Sequence, residues 1–210
     1  MPAAYTLYGS FLSAPTYKVG LMLGLCGLAF DYRHVDLSKG QHKTPDFLRL
    51  NRYGQVPVLI HDGLNLCQAN TILEYLAEQS GKFAGSSTEE RQRIREWLVW
   101  ETDRLSPGIG RTRFFERFAK PDAAVMDYMR KNAEAGLGVL DSLLESKRFL
   151  VGERPTIADI GVAGALIHME EGKFDPTAWP NVKAWRDRIA ALPGFQPPYD
   201  LLPKHDEAAA

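Results

Sequence analysis

Asn51-Arg52-Tyr53-Gly54-Gln55-Val56-Pro57-Val58-Leu59-Ile60 is a turn-prone segment that runs through Val-Pro straight into a β-branched strand. Proline cannot donate to a ladder, so within sheets it keeps to edges and to the first residue of a strand. A Val-Pro bond takes the cis form at a cost of only about 0.5–1 kcal/mol. A cis bond here turns the N–H and C=O of Val56 outward, where they can pair with an extended peptide ligand as an added strand does. The plain alternative is an edge strand that opens on a trans proline.

Downstream, residues 57–60 form this strand, Asp62-Gly63 is a strong hairpin turn, and Leu64 to Leu66 return as a fourth strand. Gln68 to Gln79 then carries Ile72, Leu73 and Leu76 at helical spacing. Upstream, residues 5–8 alternate as a short first strand. After the loop Gly9-Ser10-Phe11-Leu12-Ser13, Ser13 is placed as a helix N-cap, with Pro15 in the first turn, where a missing N–H costs little. That helix carries Val19, Met22, Leu23 and Cys26 inward and ends at Gly27. Residues 31–37 are a second strand, so strand, helix and strand predict a parallel pair with a right-handed crossover. Lys39-Gly40-Gln41-His42-Lys43 is an exposed basic loop, and Thr44-Pro45-Asp46 opens a short helix ending near Leu50. The order β-α-β-α-β-β-α predicts a mixed four-stranded sheet with helices.

Gly81 to Ser87 is small and polar and reads as a linker; everything after it is helical. Glu89 to about Leu105 is a long amphipathic helix that Pro107, Gly108 and Gly110 bend or break. Asp122 to about Glu145 is the next long helix. Thr156-Ile157-Ala158-Asp159 has the form of a capping box, and the small apolar run from Gly161 to Leu166 predicts a central buried helix. Asn181 to Ala191 is the last clear helix, followed by a proline-rich and then alanine-rich tail with frayed final residues. The expected organisation is a sheet domain over 1–80, a linker over 81–88 and an all-helical domain over 89–210.

Composition narrows the function. The 210 residues are 45% hydrophobic and 24% charged, with a net charge of −1, so nothing global favours nucleic acid or an anionic membrane. No apolar run reaches the length of a membrane span, and the N-terminus lacks the basic and apolar regions of a secretory signal. The two cysteines, Cys26 and Cys67, fit neither a metal site nor a Cys-x-x-Cys pair. A reduced, cytoplasmic protein without metal is the expectation.

Taken together, the mixed sheet, the Val-Pro at the third strand, the linker and the helical second half resemble the cytosolic glutathione S-transferase family over roughly residues 5–195. Leu12-Ser13-Ala14-Pro15-Thr16-Tyr17-Lys18-Val19 is similar to the active-site loop of its serine-type, theta-like and bacterial members. Lys39-Gly40-Gln41-His42, followed by Asn51…Gly54-Gln55-Val56-Pro57, resembles the family's glycine-carboxylate loop and cis-proline turn. Gln68 to Leu76 resembles its acid-serine helix, and Thr156 to Asp159 with Trp179-Pro180-Asn181-Val182…Trp185 its capping box and closing helix. The resemblance implies a thioredoxin-like N-terminal domain, an all-α C-terminal domain, a homodimer, and conjugation of glutathione to a hydrophobic electrophile. Dehalogenation, peroxide reduction and isomerisation share such a site.

The resemblance also implies roles. Glutathione's thiol, near pKa 8.5 in free cysteine, needs roughly 2.7 kcal/mol of anion stabilisation to fall by about two units. A hydroxyl donating to the charged sulfur contributes about 1.5–3 kcal/mol, and a helix N-terminus about 0.3–1 kcal/mol. Ser13 sits where both act; read without the family it is a plain N-cap. Ser10 is its competitor, and Tyr8 is a third hydroxyl better suited to core packing. Ser10-x-x-Ser13 has the spacing of a Cys-x-x-Cys motif with both sulfurs replaced, which excludes disulfide exchange by this site. Gln55, Val56 and Pro57 would meet the peptide backbone, and His42 and Lys39 the glycine carboxylate. Gln68 and Ala69 stand where the family has an acid and a hydroxyl for the γ-glutamyl end, with Asn70 as a compensating neighbour. Asp103 would reach the ligand's amino group from a partner subunit. Phe11, Leu12, Arg111, Phe114, Phe115 and Phe118 would line the second-substrate site between the sheet domain and the helices. The basic run Arg111, Arg113, Arg117 and Lys120 suits an anionic electrophile or product, or else a solvated face or an RNA or membrane contact. Trp97 and Trp100 are core or dimer interface. The loss of acid and hydroxyl at Gln68-Ala69 favours a second class, a non-catalytic ligand-binding or assembly module.

Overall fold

Tyr5–Gly9 (β1) is the centre of the first unit of the structure. It pairs in parallel with Phe30–His34 (β2) and antiparallel with Val58–His61 (β3), which pairs antiparallel with Leu64–Cys67 (β4), giving the order β2-β1-β3-β4. The computed structural model describes residues 3–119 and 121–204. Asp62 and Gly63 both take positive φ, 48° and 77°, the two-residue hairpin that an Asp-Gly pair favours. The second strand stops at His34, short of the expected residue 37. Val35 N donates to Gly9 O at 2.6 Å, and the chain then turns on Asp36, whose Oδ1 accepts from Ser38 N, Ser38 Oγ and Lys39 N. The third strand begins at Val58 rather than residue 57, because Pro57 has no N–H to place in the ladder.

Ala14–Cys26 (α1) crosses from β1 to β2 and is buried almost all round. Its first turn lies against β1 so closely that a Cβ at Gly9 would fall 2.0 Å from Thr16 Cγ2; only glycine lets the helix start there. Pro45–Leu50 (α2) follows the 3-10 turn Gln41–Lys43, and Ala69–Ser80 (α3) packs beside α1. The far face of α1 is covered by residues 193–204. Tyr17, fully buried, donates from its hydroxyl to Gln196 O at 2.8 Å, and Leu201 and Leu202 lie over Gly20. Residues 193–204 therefore belong with the sheet, whereas the helical pattern alone grouped everything after 88 in one domain. The frayed tail expected from composition lies, for its last six residues, outside the described residues.

Residues 83–192 form the second unit. Thr88–Trp100 (α4) is capped by Ser87, whose Oγ accepts from Glu90 N. Of the two outcomes expected at Pro107, a bend or a break, the chain does not break. It stays helical through a π-helical stretch, Glu101–Gly110, into Arg111–Phe118 (α5). A wider turn accommodates a residue that lacks an N–H and crowds the preceding turn. Gly108 acts as a packing residue rather than a breaker: a Cβ there would sit 2.9 Å from the Ala133 side chain on Ala123–Leu144 (α6). Ile157–Leu166 (α7) is wholly buried, as its small apolar run predicted. It opens on the expected capping box, with Thr156 N donating to Asp159 Oδ2 at 2.9 Å. Asp159 Oδ1 also accepts from Leu150 N and from the Trp185 indole, both at 2.9 Å. Pro180–Ala190 (α8) carries that tryptophan, and Pro198–Leu201 (α9) belongs to the segment on α1. Among the described residues no helix is long and apolar enough to cross a membrane.

Candidate functional site

The Val56–Pro57 bond is cis. It stands at one wall of a cleft of about 500 Å³ in the sheet unit, lined by Ser13, Pro15, Leu37, His42, Lys43, Asn51, Gly54, Gln55, Val56, Pro57, Gln68 and Ala69. Seven of the proposed site residues (Ser13, His42, Gln55, Val56, Pro57, Gln68 and Ala69) thus meet in one place.

Ser13 caps α1 from extended backbone, φ −96° and ψ 111°, and its Oγ accepts from Thr16 N at 3.2 Å. A hydroxyl used as an acceptor keeps its own hydrogen to give away, and the N-terminal end of the α1 dipole adds positive potential there. Ser10 is buried, its Oγ accepts from Leu12 N at 3.4 Å, and it does not line the cleft. Of the two serines, geometry offers Ser13. Tyr8 packs beside the cluster of Val35, Phe47 and Val58, the core role expected of it.

Two cations exchange places relative to expectation. Lys39 is not in the cleft: it is exposed and pairs with Asp36 Oδ2 at 3.4 Å. The hydrogen bond from the Ser38 hydroxyl leads the contacts that lower the Asp36 carboxyl to about 2. Lys43 lines the cleft instead, its ammonium donating to Gly54 O at 2.8 Å. His42 stands beside it with a buried Nδ1 that has no hydrogen-bond partner. Asn51, buried at the floor, shapes the turn by donating from Nδ2 to Gln55 O at 2.6 Å and accepting from Tyr53 N at 3.0 Å. Sequence reasoning missed Lys43 and Asn51 as site residues, although both lie in the stretches that it singled out. Gln68 holds positive φ, 68°, immediately before α3, a conformation that non-glycine residues adopt at a cost. Ala69 opens the helix without a hydroxyl.

The remaining expected residues fall elsewhere. Phe11 and Leu12 are half-buried in the β1–α1 loop. Phe114 and Phe118 are exposed on α5 and Phe115 is half-buried, with Phe114 5.6 Å by centroid from each of the other two rings. Asp103 is exposed and pairs with Arg104 at 2.9 Å; with Arg111 it lines a groove of about 550 Å³ within the helical unit. Trp97 and Trp100 meet edge to face at 5.1 Å and line a second groove of that unit with Val139 and Leu143. The expected basic run is not a surface of free cations. Arg113 is buried, and both it and Arg117 are held by Glu171, whose other oxygen meets His168 Nδ1 at 3.0 Å. Lys120 lies outside the described residues. No group of three or more His, Cys, Asp or Glu among the described residues is placed to hold a metal.

The Glu171 cluster carries a pH dependence. Burial, then Arg113, push the His168 imidazole down to about 4. The unfolded chain takes up that proton near pH 6.5, so between the two values it binds more protons than the fold. Stability is therefore full above about pH 6.5 and falls as pH drops toward 4, by about 3 kcal/mol in total. Urea titrations at pH 7.5 and pH 5 on the unmodified chain and on His168→Gln are expected to show a smaller pH loss in the variant.

A four-stranded sheet of this order with an all-helical unit is a thioredoxin-like domain joined to a helical domain. The glutathione S-transferase N-terminal domain matches residues 3–78 and the C-terminal domain residues 107–193. The chain belongs to the glutathione S-transferase family. It is 31% identical to glutathione S-transferase 3 of Zea mays over 218 residues, covering 96% of each chain. It is 32% identical to the disulfide-bond oxidoreductase YfcG of Escherichia coli over 192 residues, covering 86% of this chain and 89% of that one. A crystal structure of a glutathione S-transferase from Xanthobacter autotrophicus Py2 superposes with a TM-score of 0.87 at 34% identity, covering 93% of this chain and 98% of that chain.

Proposed function

We propose that this protein binds glutathione in the sheet-unit cleft and, with Ser13 stabilising the thiolate, transfers it to hydrophobic electrophiles. The observation that carries the reading is the placement of the Ser13 hydroxyl, at the start of α1, in the same cleft as Val56-Pro57 and His42. The extended tripeptide pairs with the Val56 backbone, its sulfur accepts from Ser13, and its glycine carboxylate meets His42 and Lys43. Its γ-glutamyl end rests on Gln68 and the backbone N–H groups at the start of α3. The protein acts in the cytoplasm as a homodimer, with Asp103 reaching the partner's ligand from the helical unit. Phe11, Leu12, Arg111, Phe114, Phe115 and Phe118 serve the electrophile.

The name of the YfcG relative supports a wider set of glutathione reactions. The exclusion of disulfide exchange drawn from Ser10-x-x-Ser13 is too broad: the pair rules out a protein disulfide in the cleft, but glutathione brings its own thiol, so thiol–disulfide chemistry needs no protein cysteine there. A second reading, a binding module with weak glutathione affinity, is favoured by Ala69, since a lost hydroxyl bond weakens the γ-glutamyl contact by about 0.5–1.5 kcal/mol. Calorimetry with reduced glutathione separates the two. Binding that saturates below millimolar concentration, with turnover of an aryl halide, is expected; no heat at millimolar glutathione would sink the transferase reading. An Ala69→Ser variant is expected to bind glutathione roughly two- to tenfold more tightly, checked in the same titration.

A further inference from the structure

Phe11, two residues before Ser13, is held from outside by the segment 193–204. Its ring lies 6.3 Å by centroid from Tyr199 and 5.6 Å from His34, and the Lys204 ammonium sits 5.7 Å from its centroid. Lys204 and Tyr199 are both exposed. Their place is secured by Tyr17 bonding Gln196 O and by the burial of Leu201 and Leu202 on α1. Distant sequence thus brings one cation and one aromatic ring to the outer edge of the loop that ends at Ser13. An ammonium over a ring face is an attractive pair even at a surface, and it leaves the charge open to an arriving anion.

We propose that Lys204 and Tyr199 are specificity residues of the electrophile site, favouring aromatic electrophiles that carry a carboxylate or a similar anionic group. This rests on the transferase reading above. Tyr199 supplies a second ring beside Phe11 on which an aryl group stacks, and Lys204 attracts the charged substituent.

The test compares kcat/KM for 1-chloro-2,4-dinitrobenzene with that for its carboxylated analogue 4-chloro-3,5-dinitrobenzoate, in the full chain and in Lys204→Ala, Lys204→Arg, Lys204→Glu and Tyr199→Ala. Lys204→Ala is expected to lower the preference for the carboxylated compound about two- to fivefold. Arginine is expected to restore it and glutamate to lower it further, with KM for glutathione constant throughout. The difference between charged and neutral electrophile should shrink in about 0.5 M salt, where screening is within a few ångström. Tyr199→Ala should slow both compounds together. An unchanged charge preference in all three Lys204 variants overturns the proposal and leaves the transferase reading standing. Normal glutathione binding with no turnover of either compound also overturns it. Absence of glutathione binding in the unmodified chain overturns the reading itself, and the proposal with it.

Discussion

Asp159→Ala is expected to lower the stability of the helical unit by about 4 kcal/mol, the largest loss of any single substitution considered. One carboxylate accepts from Leu150 N, Thr156 N and the Trp185 indole, and all three residues are buried. Alanine would leave four donors, the Thr156 hydroxyl included, without that acceptor, at about 1–3 kcal/mol for each that stays buried and unpaired, and would remove half of the cap of α7. Burial pushes the Asp159 carboxyl up in pKa, against the pull of those donors. The charge itself is thus a cost, and the bonds are the gain. Asp159→Asn, which keeps one acceptor oxygen and drops the charge, is expected to recover part of the loss. Urea melts followed by tryptophan fluorescence are suited to the measurement, because Trp97, Trp100, Trp179 and Trp185 all lie within residues 83–192. A loss under about 1 kcal/mol for the alanine variant would show that the capping box is dispensable.

Ser13→Ala is expected to cut kcat/KM about 10- to 100-fold near neutral pH, the rate equivalent of losing a hydrogen bond to a charged sulfur worth about 1.5–3 kcal/mol. The sign follows from the thiolate. Removing a donor that favours the anion raises the pKa of bound glutathione, so the rising limb of the pH–rate profile moves to higher pH by about one to two units. Rate should return once pH exceeds the raised value, which separates a shifted pKa from a damaged site. The cap contributes separately: losing the Oγ bond to Thr16 N costs about 1 kcal/mol of stability. Ser13→Thr keeps both roles and should retain the original profile. A profile that stays in place in the alanine variant would move the assignment to Ser10.

What could be read from sequence was local. Asp62-Gly63, Ser13 before Pro15, and Thr156 to Asp159 each carry their geometry in neighbouring residues, and all three appear as expected. The cleft was legible for the same reason, since most of its wall comes from the stretches 42–57 and 68–69. What was missed depends on partners far along the chain or, for the basic loop, on which side of a turn a side chain emerges. Pro107 and Gly108 look like a bend or a break until Gly108 is seen against Ala133. Lys39 and Lys43 are equivalent in a basic loop; Asp36 holds one outside, and the 3-10 turn Gln41–Lys43 carries the other in. Arg113 and Arg117 read as surface charge because Glu171, which binds both, is more than fifty residues away.

The packing of residues 193–204 on α1 gives the chain an interrupted plan. The helical unit is in effect an insertion, and the sheet unit is a discontinuous domain made from both of its flanks. A fragment cut at residue 82 would bare the far face of α1, the helix that Ser13 begins, and leave Tyr17 without its acceptor. A minimal sheet unit would instead be made by splicing residue 82 to residue 193 through a flexible linker, discarding the insertion and keeping the clasp.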